Sequence, residues 1–184
     1  MEQIKIFFFV LASFFSTEDG RIVANTTTVT VHPASKEISI VQEDLFTIIR
    51  SQGDIPPILK EWETLSTWKE KVLPWAKELD SFAKKEFTLA VIKDSIQPNL
   101  TLSYTSEKDL RELGIWYNAV KNEFSINHNP EYNIKTETGS LQGNYWVFSG
   151  ATSFSFTLHP FLQIPEQYLQ FKKPLEELVQ ETKK

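Results

Sequence analysis

Apolar and polar residues alternate strictly from Thr28 to His32 and again from Glu37 to Val41. Side chains two apart share a strand face, so Val29 and Val31 line up with Ile38 and Ile40, and Pro33 to Lys36 form the turn of a β-hairpin. Helical spacing follows. Leu45, Ile48 and Ile49 fit one turn before Gln52-Gly53-Asp54 breaks it. Pro56 and Pro57 suit the start of a helix, where a missing amide costs nothing. From there Ile58, Trp62, Leu65, Trp68, Val72, Trp75, Leu79 and Phe82 recur at steps of four and three, the inward stripe of amphipathic helix. Thr67 and Glu70 have the spacing of a capping box and place a boundary near residue 66, and Pro74 should kink the second helix.

The second half reads as strands. Residues 87–92 and 99–104 flank a turn at Gln97-Pro98, and Ser106 caps a short helix that Gly114 ends. Residues 115–118 and 123–128 pair across 120–122, and 132–137, 144–148 and 153–159 complete an antiparallel run. Helical spacing returns after Pro165 at Tyr168, Phe171, Leu175 and Leu178, with Pro174 either kinking that helix or starting its second half. Glu176 and Glu177 suit its first turn and the terminal lysines its end. The order predicts an α+β fold: an N-terminal hairpin, an antiparallel sheet of about six to seven strands, helices on one face and a C-terminal helix. It resembles the element order of helix-grip domains, which wrap a sheet around a long C-terminal helix and often hold apolar ligands. A cystatin-like or lipocalin-like sheet fits the same order.

One segment stands outside this pattern. Residues 4–15 are apolar apart from Lys5, too few to span a bilayer and of a length that suits a secretory leader. Residues 1–24 are therefore expected to be a leader, cleaved between 12 and 24, and 25–184 a single exported domain in the periplasm or outside the cell. The alternative is a buried first strand turning back at Glu18-Asp19-Gly20 into Ile22-Val23-Ala24. The chain has no cysteine, so an exported form folds without disulfides and without a lipidated N-terminal cysteine. No later segment approaches a membrane span.

Composition narrows the chemistry. The chain has 184 residues, 41% hydrophobic and 13% aromatic, enough for a core without staples. Its net charge is −5, and its three arginines, Arg21, Arg50 and Arg111, lie far apart in sequence, which argues against a nucleic-acid surface. His32, His128 and His159 sit at predicted strand ends without metal-ligand spacing. There is no phosphate-cradling glycine loop and no nucleophile elbow, so no cofactor or metal is implied. Asn25 and Asn99 open glycosylation triplets.

The adjacent aromatic pairs Trp116-Tyr117 and Tyr145-Trp146 lie inside predicted strands, where neighbours point to opposite faces. One ring of each pair faces the core. The other is covered by chain or contributes to a ligand-binding face. The resulting expectation is a soluble, non-enzymatic binding domain for a small molecule (apolar or glycan) or a protein, with Trp116, Tyr117, Tyr145 and Trp146 as candidate contacts. The alternative is an exported hydrolase whose site assembles only in three dimensions.

Overall fold

In the hairpin, Val29 and Val31 do face the core together with Ile38 and Ile40, in strands longer than the alternation alone marks. They are β1 (Val23–His32) and β2 (Glu37–Ile48). The computed structural model describes residues 8–16, 20–71, 73–92 and 95–182. Val72 of the helical stripe, Glu18-Asp19, the first seven residues and the terminal lysines lie outside the described residues.

The alternation slips by one residue midway, in both strands at once. Beyond Thr27 and Gln42 the next core-facing positions are Ala24 and Leu45, and Asp44 takes φ 53° at the slip. The shared slip keeps the register, with Thr26 opposite Glu43 and Ala24 opposite Leu45. Past it, β2 is covered on both faces. Leu45 and Thr47 are buried in the core, while Phe46 is buried on the other side under Phe161, 5.3 Å between ring centroids. Burial on both faces makes apolar residues run consecutively, and that run mimics a helical turn. The predicted helix at Leu45–Ile49 is therefore strand through Ile48.

Strands β3 (Lys84–Ile92), β4 (Ser95–Ser103) and β9 (Phe154–Leu158) extend this sheet in the order β3-β4-β2-β1-β9. The predicted turn at Gln97-Pro98 lies inside β4. Pairing of β4 with β2 stops at Asn99 opposite Val41, one residue from Pro98, which has no N–H to donate. The vacated end of β2 is taken by β10 (Lys172–Pro174), with Lys172 opposite Ile48. A second antiparallel sheet, in the order β5-β6-β8-β7, contains β5 (Ile115–Asn118), β6 (Glu123–Asn127), β7 (Gly139–Gln142) and β8 (Tyr145–Ser149). The fold is thus α+β with antiparallel sheets, and the predicted run divides in two. The sheets share one core, in which the Phe148 ring stacks on Phe154 at 4.5 Å and packs on Phe156 at 5.8 Å. Residues 132–137 contribute only a bridge from Lys135 to Thr157.

The helices are shorter than their apolar spacing predicts. Helix α1 (Ile55–Ser66) ends at the expected boundary, where the Thr67 hydroxyl turns back to the Glu63 carbonyl at 2.7 Å. Helix α2 (Trp68–Lys71) stops ahead of Pro74, and Trp75 forms a bridge with Phe15 instead of continuing the helix. Near the C-terminus, α3 (Glu166–Leu169) and α4 (Leu175–Glu181) flank β10, with Pro174 starting the second. Seven residues of α4 do not make the long helix of a helix-grip domain.

The apolar segment at the N-terminus lies inside the core. Phe8, Leu11, Ala12, Phe14 and Phe15 are at most 1% exposed. Ala24 donates its N–H to the Phe9 carbonyl at 2.8 Å, Leu11 to Ile22 at 3.3 Å, and Ala76 to Phe14 at 3.1 Å. The Phe8 carbonyl accepts from the buried side chains of Thr27 and Gln42. The segment is buried as the alternative expects, but as a one-turn 3-10 helix over Leu11–Phe14 between isolated bridges from Val10 to Val23 and from Phe15 to Trp75 rather than as a strand.

Candidate functional site

The face of β2 that carries Phe46 also carries Ile48, and Arg50 follows two residues on. Across the ladder Val23 stands opposite Phe46, with Arg21 two residues before it. Alternation thus places both arginines at one end of a short apolar floor. Residues Pro160, Phe161, Gln163, Ile164 and Pro165, with Tyr168 of α3, wall that floor into a cleft of about 460 Å³. This size lies within the range of small-molecule sites.

Two arginines line it, and a third cation lies against the Phe46 ring. Lys172 lies beside Ile48 on β10, its ammonium 4.0 Å from the centre of the Phe46 ring and donating to Asn25 Oδ1 at 3.2 Å. Burial lowers its pKa, against a smaller opposing pull from Asp44. The Arg50 guanidinium lies 5.2 Å over the Tyr168 ring. Neither arginine has an ion-pair partner among the described residues. The nearby carboxylates are engaged with the backbone. Asp54 accepts from the N–H groups of Arg50 and Ser51, both at 2.9 Å, which lowers its pKa. Glu61 accepts from the N–H of Arg21 at 2.8 Å and of Ile22 at 3.3 Å, yet burial outweighs those bonds and raises its pKa. No carboxylate or imidazole lines the cleft among the described residues. The lining is apolar and carries two arginines, Asp54 and Glu61 lie within electrostatic reach of Arg21, and among the described residues the lining holds no acid–base pair.

The aromatic pairs divide between faces as alternation requires. Tyr117 lies opposite Phe124 and Trp146 opposite Ile126, on the core side of the four-stranded sheet. Trp116 and Tyr145 take the outer face, and β6 separates them. Trp116 is half-buried, with the Arg111 guanidinium 5.1 Å from its ring, and Tyr145 is 49% exposed over a shallow depression with Gln142 and Val147. The four rings therefore do not converge on one site. The three histidines also stand apart: His32 meets Ser153 and His159 meets Thr26, towards opposite ends of the β1–β9 ladder, while His128 packs on Trp146.

Sequence reasoning missed the arginine cleft because Arg21, Arg50 and Lys172 are far apart in the chain. The one signal available was the spacing of Arg50 from Ile48 and Phe46, and it requires knowing that the segment is strand. No protein family, curated protein or solved structure matches the chain.

Proposed function

We propose that the protein is a non-enzymatic binding domain whose cleft takes a small anion with an apolar body, such as an acyl or aryl carboxylate, sulfate or phosphate. The observation that carries this reading is the meeting of two of the chain's three arginines, in a protein of net charge −5, on an apolar floor with no lining carboxylate among the described residues. The headgroup accepts from Arg21 and Arg50, and the body lies on Val23, Ile48, Phe161 and Ile164. A charge-assisted hydrogen bond contributes about 1.5–3 kcal/mol, or roughly ten- to a hundredfold in affinity.

Octyl phosphate, octanoate and octanol separate the contributions by calorimetry. The two anions should bind at least about tenfold more tightly than the alcohol, and Arg21→Ala and Arg50→Ala should each remove most of that advantage at an unchanged urea midpoint. Equal binding of octanol, or unaltered binding by both variants, would overturn the proposal.

Export belongs to the same proposal and rests on the apolar run of residues 4–15 beside Lys5. The fold attaches a condition to it, since Phe8–Phe15 are core here and a chain cut between residues 12 and 24 must fold without most or all of them.

A further inference from the structure

Strand β3 is an outer strand of the six-stranded sheet and among the described residues pairs with β4 alone. Which of its amides remain unpaired follows from the neighbouring ladder. Tyr104 donates its N–H to the Lys36 carbonyl at 3.0 Å, so Leu102 and Leu100, two and four residues earlier, also direct their backbone groups at β2. Ser103, Thr101, Asn99 and Gln97 then direct theirs at β3 and meet Lys84, Glu86, Thr88 and Ala90. Leu89 and Val91 consequently turn N–H and C=O away from β4, and neither has a backbone partner among the described residues.

The side chains of these two residues line a groove of about 690 Å³, together with Leu59 and Trp62 of α1, Ile96 of β4 and Val179 of α4. Val91 is 72% exposed and the adjoining Ile92 49%. Charged side chains commonly protect sheet edges from pairing. On β3 such residues, Lys84, Lys85 and Glu86, guard only the first third, and residues 87–92 are uncharged.

We propose that this edge and groove receive an extended peptide segment of a partner protein, added to the sheet as a strand beside β3. Its amides pair with those of Leu89 and Val91, and its alternate side chains, apolar and two residues apart, enter the groove. A lipid or another small apolar molecule fills the groove without answering the backbone groups, so the unpaired amides select a polypeptide. Charge narrows the partner further. Glu176 lines the groove with its carboxylate accepting from the Ile96 N–H at 3.0 Å, and no Lys or Arg lines it among the described residues, which favours a segment flanked by basic residues. This site shares no lining residue with the arginine cleft and stands independently of it.

The test titrates the peptide acetyl-Lys-Val-Thr-Val-Thr-Val-Lys-amide into the full chain and follows hydrogen exchange residue by residue. Binding should slow exchange at Leu89 and Val91 by about tenfold or more. Val91→Pro deletes one outward N–H and leaves the β4 ladder intact, so it should weaken binding by about tenfold or more at an unchanged urea midpoint. Methylating alternate amides of the peptide should do the same without altering the protein. Equal binding of the methylated peptide, or no slowing at Leu89 and Val91 with peptide at about 1 mM, overturns the proposal. Protection of both amides in peptide-free protein that sediments as a dimer also overturns it, by assigning the edge to a second copy of the chain.

Discussion

Each ring of the two aromatic pairs meets a different environment, and truncation should cost accordingly. Trp146 and Tyr117 pack against the core, with Tyr117 4.7 Å from the Phe124 ring, whereas Tyr145 stands half-exposed on the outer face. Trp146→Ala and Tyr117→Ala should each destabilise by about 1.5–3 kcal/mol, while Tyr145→Ala should stay within about 0.5 kcal/mol in urea melts. Trp116 falls between them because the Arg111 guanidinium covers it. A large loss at Tyr145 would mean that its ring is buried and the outer face is covered. Strand pattern made this division legible before any coordinates. It did not show that the two outward rings stand with a strand between them, because lateral strand order depends on pairing.

At the scale of elements, the slip in β1 and β2 decides which side chains reach the cleft. Asp44 holds φ 53° there, a conformation that Asp and Gly tolerate and β-branched residues resist. Asp44→Gly should leave stability within about 0.5 kcal/mol, whereas Asp44→Val should cost about 1–2 kcal/mol by the urea midpoint. Were Val tolerated as well as Gly, the bend would be soft, and the placement of Phe46, Ile48 and Arg50 would need another cause. Sequence periodicity misassigned this element because the cover over Phe46 comes from Phe161 and Lys172, more than a hundred residues away. The same limitation lengthened the predicted helices. Trp68 and Trp75 keep helical spacing, yet Trp75 stacks on Phe15 at 5.2 Å across an isolated bridge.

For the molecule as a whole, the N-terminal segment is the largest commitment. Burying a large apolar side chain contributes about 1.5–3 kcal/mol. Phe8, Leu11, Phe14 and Phe15 together then contribute about 6–12 kcal/mol, comparable with the roughly 5–15 kcal/mol net stability of a typical domain. Their loss would also strand Thr27 and Gln42, whose side chains donate to the Phe8 carbonyl. Cleavage therefore carries a large structural cost, and Edman or mass-spectrometric sequencing of the natural protein tests the export proposed above, with a start at or before Phe8 overturning it. A start between Ser13 and Asn25 would establish cleavage, in keeping with export, and would mean that the mature core packs without the segment. A variant lacking residues 1–16 provides the second measure: export by cleavage expects it to unfold cooperatively, and loss of cooperative unfolding would overturn that expectation.

Local pattern alone determined the β-hairpin, the mixed α+β class, the end of α1 near residue 66, the left-handed stop at Gly114 and the inward and outward sides of β5 and β8. Each depends on residues close together in the chain, where side-chain periodicity and backbone preference act directly. Tertiary structure decided the division into two sheets, the exchange of β4 for β10 along β2, the burial of most of residues 8–15 and the meeting of Arg21 and Arg50 in one cleft. Those features rest on contacts between distant segments. An apolar run reads alike as leader, strand or helix until the surface that covers it is known.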